Sequence, residues 1–121
     1  MRIYLHIGPE DVSSERLQSV LAQGVLFARS TGNKNHTRLF MAVTDAAHVD
    51  PLRFNRGYIT AEKQAALRDT VTTDLAREIA QHRPEIFILS CSQLGSGLHS
   101  ASEIEQLHDL LRPLSDDIRI I

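Results

Sequence analysis

The residues best placed for chemistry lie in the loop that follows the first apolar run of the chain. Gly8 ends that run, and two hydroxyl residues, Ser13 and Ser14, follow it at a predicted helix start. A glycine turn that leads into a helix places backbone N–H groups, hydroxyl groups and the positive end of the helix dipole against a phosphate. The layout of strand, glycine turn and helix start is therefore typical of a loop that contacts a phosphate group.

His36 is the candidate general base. Its imidazole can take up a proton near neutral pH, as deprotonation of a hydroxyl group requires. His36 also stands at a predicted helix start, and a capping or surface role is the alternative interpretation.

The other residue types that support catalysis give weaker signals. The chain has six histidines, but no pair has the spacing of a metal site, so no metal centre is predicted. Cys91 is the single cysteine, which excludes an internal disulfide and suits a reducing compartment. Because Cys91 follows a predicted buried strand, we expect it to be a small core residue.

Three carboxylates argue against a phosphate in this loop. Glu10, Asp11 and Glu15 surround the two serines. Like charges about 4 Å apart repel by about 1 kcal/mol in water, whereas a helix N-terminus stabilises an exposed anion by about 0.3–1 kcal/mol. The alternative is a plain strand-ending turn, with the acidic residues as ordinary stabilisers of the first helical turn.

Alternating strands and helices position these residues. Apolar runs typical of strands that are covered on both faces occur at 2–7, 25–27, 86–89 and 118–121. Periodicity and cap residues predict helices at about 13–23, 36–47, 60–82 and 100–111. Residues 52–58 have no clear period and are predicted to be a loop, as is the glycine-containing stretch 93–97.

Apolar spacing predicts which face of each helix is buried. On the first helix, Leu17, Val20 and Leu21 are three and four residues apart, so we expect them to face the core. Comparable stripes on the two later long helices are Leu67, Val71, Leu75 and Ile79, and Ile104, Leu107 and Leu111.

The order of elements predicts a single α/β domain over residues 1–121. We expect a three-layer sandwich with a mainly parallel sheet and right-handed crossovers. Ligands of such sheets bind beyond the carboxyl ends of the strands, and two loops, 8–14 and 90–97, are expected at that edge. The apolar run at 118–121 is either an edge strand or, as we favour, the point where the amino-terminal part of a longer domain ends.

Composition narrows the class of partner. The net charge of −2, the absence of Trp and an aromatic content of 5% do not favour nucleic acid or an anionic membrane surface. No apolar run approaches the roughly 20 residues that span a bilayer, and the first run is too short for a signal peptide. We therefore expect a soluble, cytoplasmic protein.

One long motif links the opening of the chain to a known family. Residues 6–18 read H-I-G-P-E-D-V-S-S-E-R-L-Q. They resemble the phosphosulfate-binding loop of bacterial sulfotransferases, a family with a P-loop NTPase-like fold, in which the pattern is H-I-G-x-x-K-T-G-T-T-x-x-Q. Weaker similarities follow at 24–27 (G-V-L-F), 35–39 (N-H-T-R-L) and 88–94 (I-L-S-C-S-Q-L).

The differences from the family fall on its chemical groups. Asp11 stands where the family has lysine, Glu15 replaces its second threonine, and Gln93 replaces a later glutamate. The family's arginine and serine that bind the 3′-phosphate would follow the strand on which the chain ends. A different nucleotide-using P-loop protein is disfavoured because Ser14 occupies the position of the Walker lysine.

The resemblance implies an activity as well as a fold. Sulfotransferases move a sulfuryl group from 3′-phosphoadenosine 5′-phosphosulfate (PAPS) to a hydroxyl or amine, here of a small-molecule or glycan acceptor. Gly8, Ser13 and Ser14 would hold the 5′-phosphosulfate, and His36 would deprotonate the acceptor. The altered loop leaves a second hypothesis open, a non-catalytic P-loop-like interaction or scaffold domain of a larger protein.

Overall fold

A computed structural model describes residues 1–45, 47–48, 50–58 and 60–121. The described elements are, in chain order, β1 (Arg2–His6), α1 (Val12–Leu21), α2 (Thr37–Val43), α3 (Pro51–Asn55), α4 (Ala61–His82), β2 (Ile86–Ser90), α5 (Leu94–Gly97), α6 (Ala101–Leu111) and β3 (Asp117–Ile120). The predicted α/β class is confirmed. No described helix is both long enough and apolar enough to cross a membrane.

The sheet has three parallel strands in the order β2-β1-β3. Arg2 of β1 lies beside Ile86 of β2 and Asp117 of β3, so the carboxyl ends of all three strands meet at one edge. The predicted strand at 25–27 is wrong as an element, because only Phe27 forms a bridge, to Ile88 of β2. The residues just before Phe27, 22–26, form turns and a bend.

The core lies on one face of the sheet. Ile3 and Leu5 of β1 and Phe87 and Leu89 of β2 are buried with residues of α2, α4 and α6 in one cluster. This burial follows from the strand period of two, which places alternate side chains on the same face. On the opposite face Tyr4 is half-buried, and Gln18 of α1 donates to Ser90 at the carboxyl end of β2.

The buried face of α1 differs from the prediction. Val20 is 67% exposed and Leu17 39% exposed, whereas the fully buried residues of α1 are Ser14 and Gln18. The physical reason is that α1 packs on the polar carboxyl edge of the sheet, where Gln18 binds Ser90. Hydrogen bonding at this edge outweighs the apolar periodicity.

The predicted helix at 60–82 is confirmed as α4, with Thr60 as its N-cap. The helix at 100–111 is confirmed as α6, but Ile104 is 59% exposed and does not face the core as predicted. The helix predicted at 36–47 is α2, which ends at Val43, and Ala46 of the predicted span lies outside the described residues.

Two predicted loops contain short helices. Residues 51–55 form α3, in which Asp50 accepts the Leu52 N–H at 2.8 Å and Pro51 occupies the first turn. Both residue types are helix-start signals that act without a long apolar period. Residues 94–97 form the single turn α5 despite their glycines.

Candidate functional site

The loops after β1 and β2 meet at the carboxyl edge of the sheet, as predicted. The Gly95 N–H donates to the Ile7 carbonyl at 2.9 Å. A Cβ atom on Gly8 would lie 2.7 Å from the Ser92 carbonyl oxygen, and Gly8 has a φ of +122°. The two loops are thus in direct backbone contact, and α5 covers the end of β1.

The N-terminus of α1 already binds a carboxylate of its own chain. Asp11 is the N-cap, and its Oδ1 accepts the backbone N–H groups of Ser13 at 2.9 Å and Ser14 at 3.2 Å. The Ser13 hydroxyl donates to the same oxygen at 2.5 Å. These hydrogen bonds, from Ser13 first and then Ser14, lower the pKa of Asp11 and keep it anionic. The donors predicted to hold a phosphate therefore point at Asp11.

Gly8 lies in the loop after β1, whereas Ser13 and Ser14 lie in the first turn of α1, where their side chains have different environments. Ser13 is exposed, while Ser14 is buried. The Ser14 hydroxyl has no hydrogen-bond partner among the described atoms. A phosphate role for the three residues stays a prediction, and it would require Asp11 to give up its three donors.

A buried polar network connects β1, α1 and β2 beside this loop. The Ser90 hydroxyl lies 2.8 Å from His6 Nδ1 and accepts from the Gln18 amide at 2.9 Å. Gln18 also donates to Asn35 at 3.2 Å, and Asn35 exchanges two hydrogen bonds with Ser92. His6, Gln18, Asn35 and Ser90 therefore form one hydrogen-bonded frame at the carboxyl edge of the sheet.

His36 belongs to the same frame and uses both ring nitrogens. The Ser90 N–H donates to His36 Nδ1 at 2.9 Å, which fixes the proton on Nε2, and Nε2–H donates to the Ala28 carbonyl at 2.9 Å. Burial lowers the pKa of His36, so its ring is neutral at neutral pH. The general-base role stays a prediction, although this geometry favours a structural role that ties the 27–28 segment to β2.

Cys91 lies in the core, as expected from its place after β2. Burial raises the pKa of the Cys91 thiol to about 12. The thiol is therefore protonated near neutral pH, which does not suit a nucleophile.

A hollow of about 340 Å³ opens beside the two loops. Its lining includes Glu10 of the first loop, Gln93 of the second, and Phe40, Asp50 and Asn55. Its charged lining groups, among the described residues, are both carboxylates. This hollow disfavours a sulfate or phosphate for the same electrostatic reason as Asp11 does.

A buried cluster that no sequence pattern predicted surrounds Glu103. Its carboxylate accepts the Asp45 N–H, the His99 N–H and the His48 ring at distances of 2.6–2.9 Å. Burial raises the pKa of Glu103, but the donors His99 and His48 more than offset that effect and lower it. No periodic signal marked these residues, because they come from two stretches of the chain that are more than 50 residues apart. The carboxylate holds Asp45 and His48 against α6.

Within the described parts of the chain, no group of three or more His, Cys, Asp or Glu side chains could hold a metal ion. No protein-family model, curated protein or solved structure matches this chain.

Proposed function

We propose that this chain is a non-catalytic α/β interaction domain that keeps the frame of a phosphosulfate loop but not its anion site. The observation that carries the proposal is the position of the Asp11 carboxylate. It accepts both the Ser13 and Ser14 N–H groups and the Ser13 hydroxyl. An anionic ligand would have to displace a carboxylate that is covalently part of the loop.

Two further observations support this proposal. The loops after β1 and β2 are in backbone contact, at Gly8 with Ser92 and at Ile7 with Gly95. No ligand group fits between the two loops at these contacts. Both nitrogens of His36 are engaged in hydrogen bonds to the main chain. A general base needs a free ring nitrogen within reach of its substrate.

The second candidate is a PAPS-dependent sulfotransferase. The observation that favours it is the parallel pairing of the Phe27 bridge, β2, β1 and β3, since the resemblance implies a mainly parallel sheet. The hydrogen-bonded frame of His6, Gln18 and Ser90 also supports it. In this case the chain binds PAPS, and Asp11 moves away.

Calorimetry with adenosine 3′,5′-bisphosphate and with PAPS separates the two candidates. We expect no binding to the wild-type chain at millimolar ligand, since Asp11 occupies the donors. Saturable binding by the wild type would reject the non-catalytic proposal.

A substitution at position 11 makes the test sharper. Asp11→Lys removes the internal carboxylate and supplies the cation of the sulfotransferase pattern, so we expect it to increase the affinity for adenosine 3′,5′-bisphosphate. Glu15→Lys is the matched control, because it makes the same charge change on the exposed side of the same helical turn. Equal gains in both variants would mean that net charge, and not Asp11, limits binding.

A further inference from the structure

The outer edge of β3 carries backbone hydrogen-bonding groups that pair with no strand of the described residues. Among the described residues, β3 pairs only with β1. The Ile121 N–H donates to the Leu5 carbonyl, and the Ile121 carbonyl accepts the Ile7 N–H. Because alternate residues of a strand point their backbone groups in the same direction, Ile121 and Arg119 face β1. The backbone groups of Ile118 and Ile120 therefore point away from the sheet.

An apolar surface lies next to this edge. Ile118 and Ile120 share the sheet face on which α6 packs, and a hollow of about 260 Å³ lies between them, Leu107 and Ile104. Ile120 is 57% exposed and Ile104 is 59% exposed. A second hollow of about 280 Å³ continues the apolar surface toward α5. A free edge beside exposed apolar side chains is a template for pairing with another strand.

The other face of β3 carries two opposite charges. Asp117 and Arg119 lie two residues apart, so they share a face, and Arg119 Nε donates to Asp117 at 2.8 Å. Arg2 Nε on β1 donates to the same carboxylate at 2.8 Å. A partner strand that places an arginine opposite Asp117 and a carboxylate opposite Arg119 would be complementary.

We propose that β3 pairs with β3 of a second copy of this chain, antiparallel and centred on Ile118, to form a continuous six-stranded sheet. This pairing names a partner for the proposed interaction domain, and its biological role rests on that proposed function. It places Asp117 opposite Arg119 of the partner strand and Arg119 opposite Asp117. It also makes Ile118 a hydrogen-bonded pair with its own copy, as its outward backbone groups require.

Charge and backbone direction favour this register over registers shifted by one or two residues. A shift of two residues centres the pair on Asp117 or on Arg119 and places like charges directly opposite each other, which is destabilising. A shift of one residue sets outward backbone groups against inward ones and breaks the ladder. In the chosen register both copies of α6 lie on the same face of the joined sheet, so Ile104 and Ile120 line one apolar surface across the two-fold axis.

A cysteine scan of β3 tests the pairing and its register. Cα atoms of a hydrogen-bonded antiparallel pair lie about 5.5 Å apart, within the range of a disulfide. Under mild oxidation we expect Ile118→Cys to form a disulfide-linked dimer. Asp117→Cys and Arg119→Cys are the matched controls, since each would lie diagonal to its copy, about 7–8 Å away. Native Cys91 is buried and does not interfere.

A proline variant tests the hydrogen bonds without a crosslink. Ile118→Pro removes an N–H that points away from β1, so it spares the β1–β3 ladder. We expect the wild type to sediment as a concentration-dependent dimer and Ile118→Pro as a folded monomer. Ile118→Ala keeps the N–H and is expected to retain part of the dimer. Thermal unfolding of each variant verifies that it is folded.

The results separate this inference from the proposed function. A wild type that stays monomeric at high concentration and gives no Ile118→Cys crosslink overturns the pairing, even if it binds no PAPS. A crosslink at position 117 or 119 in place of 118 overturns the register. A dimer that binds PAPS keeps the pairing and rejects the non-catalytic role.

Discussion

At the scale of single residues, a polar side chain can either bind a ligand or occupy the hydrogen-bonding groups that a ligand would use. Asp11 shows the second case, because its carboxylate occupies the donors of the helix N-terminus. His36 shows the related case of a titratable group whose two nitrogens are used by the main chain. Residue type alone does not distinguish such roles.

His36 should make stability depend on pH. Burial lowers its pKa in the folded chain, whereas the unfolded chain has the ordinary value of about 6.5. The unfolded state therefore binds the proton more readily, and the free energy of unfolding is expected to fall as the pH drops below about 6.5 toward the folded pKa.

Urea denaturation at about pH 7.5 and about pH 5.5, on either side of the unfolded pKa, measures this effect. We expect a smaller fall in unfolding free energy for His36→Gln than for the wild type. An identical fall in both proteins would show that the pKa of His36 is the same in the folded and unfolded states.

At the scale of elements, the conformation of the loop after β1 depends more on its contacts with the loop after β2 than on the start of α1. The predicted helix near residue 13 begins at Val12, with Asp11 as its N-cap. The close approach of Gly8 to the Ser92 carbonyl depends on the loop after β2, which is distant in sequence.

Gly8→Ala should cost more stability than a change at another left-handed glycine. The new Cβ would meet the Ser92 oxygen at 2.7 Å, and the φ of +122° is itself unfavourable, so we expect a loss of about 1–3 kcal/mol or more. Gly57→Ala is the control, because Gly57 also has a positive φ but its Cβ would meet no described atom within 4 Å. Urea denaturation that finds equal losses would contradict the importance of the contact.

At the scale of the whole molecule, burial is asymmetric. The core lies between one face of the sheet and the helices α2, α4 and α6, while α1 contributes buried polar residues to the other face. The described structure therefore leaves apolar surface on α1 and beside β3.

Two truncations test which apolar residues form the core. Leu75→Ala on α4 removes a fully buried side chain, so we expect a loss of about 2–5 kcal/mol. Val20→Ala on α1 alters a side chain that is 67% exposed and should change stability by no more than about 0.5 kcal/mol. Thermal unfolding measures both, and a large loss for Val20→Ala would place α1 apolar residues in the core after all.

Much of the fold could be predicted from local patterns. The Leu67-to-Ile79 stripe and Thr60 predicted α4, and the apolar run after Pro84 predicted β2. Alternation of strands and helices predicted a parallel sheet and the edge at which the two loops meet. The phosphate and base roles stay predictions, as does the family resemblance.

By itself, the sequence determined the elements whose signals act over a few residues, namely caps, turns and periodic apolar stripes. Only the tertiary structure decided that α1 buries Ser14 and Gln18 in place of Leu17 and Val20. The physical reason is that the Gln18 amide finds its partner on Ser90, 72 residues away. Hydrogen bonds of that range depend on the packing of the whole chain, and no local pattern encodes them.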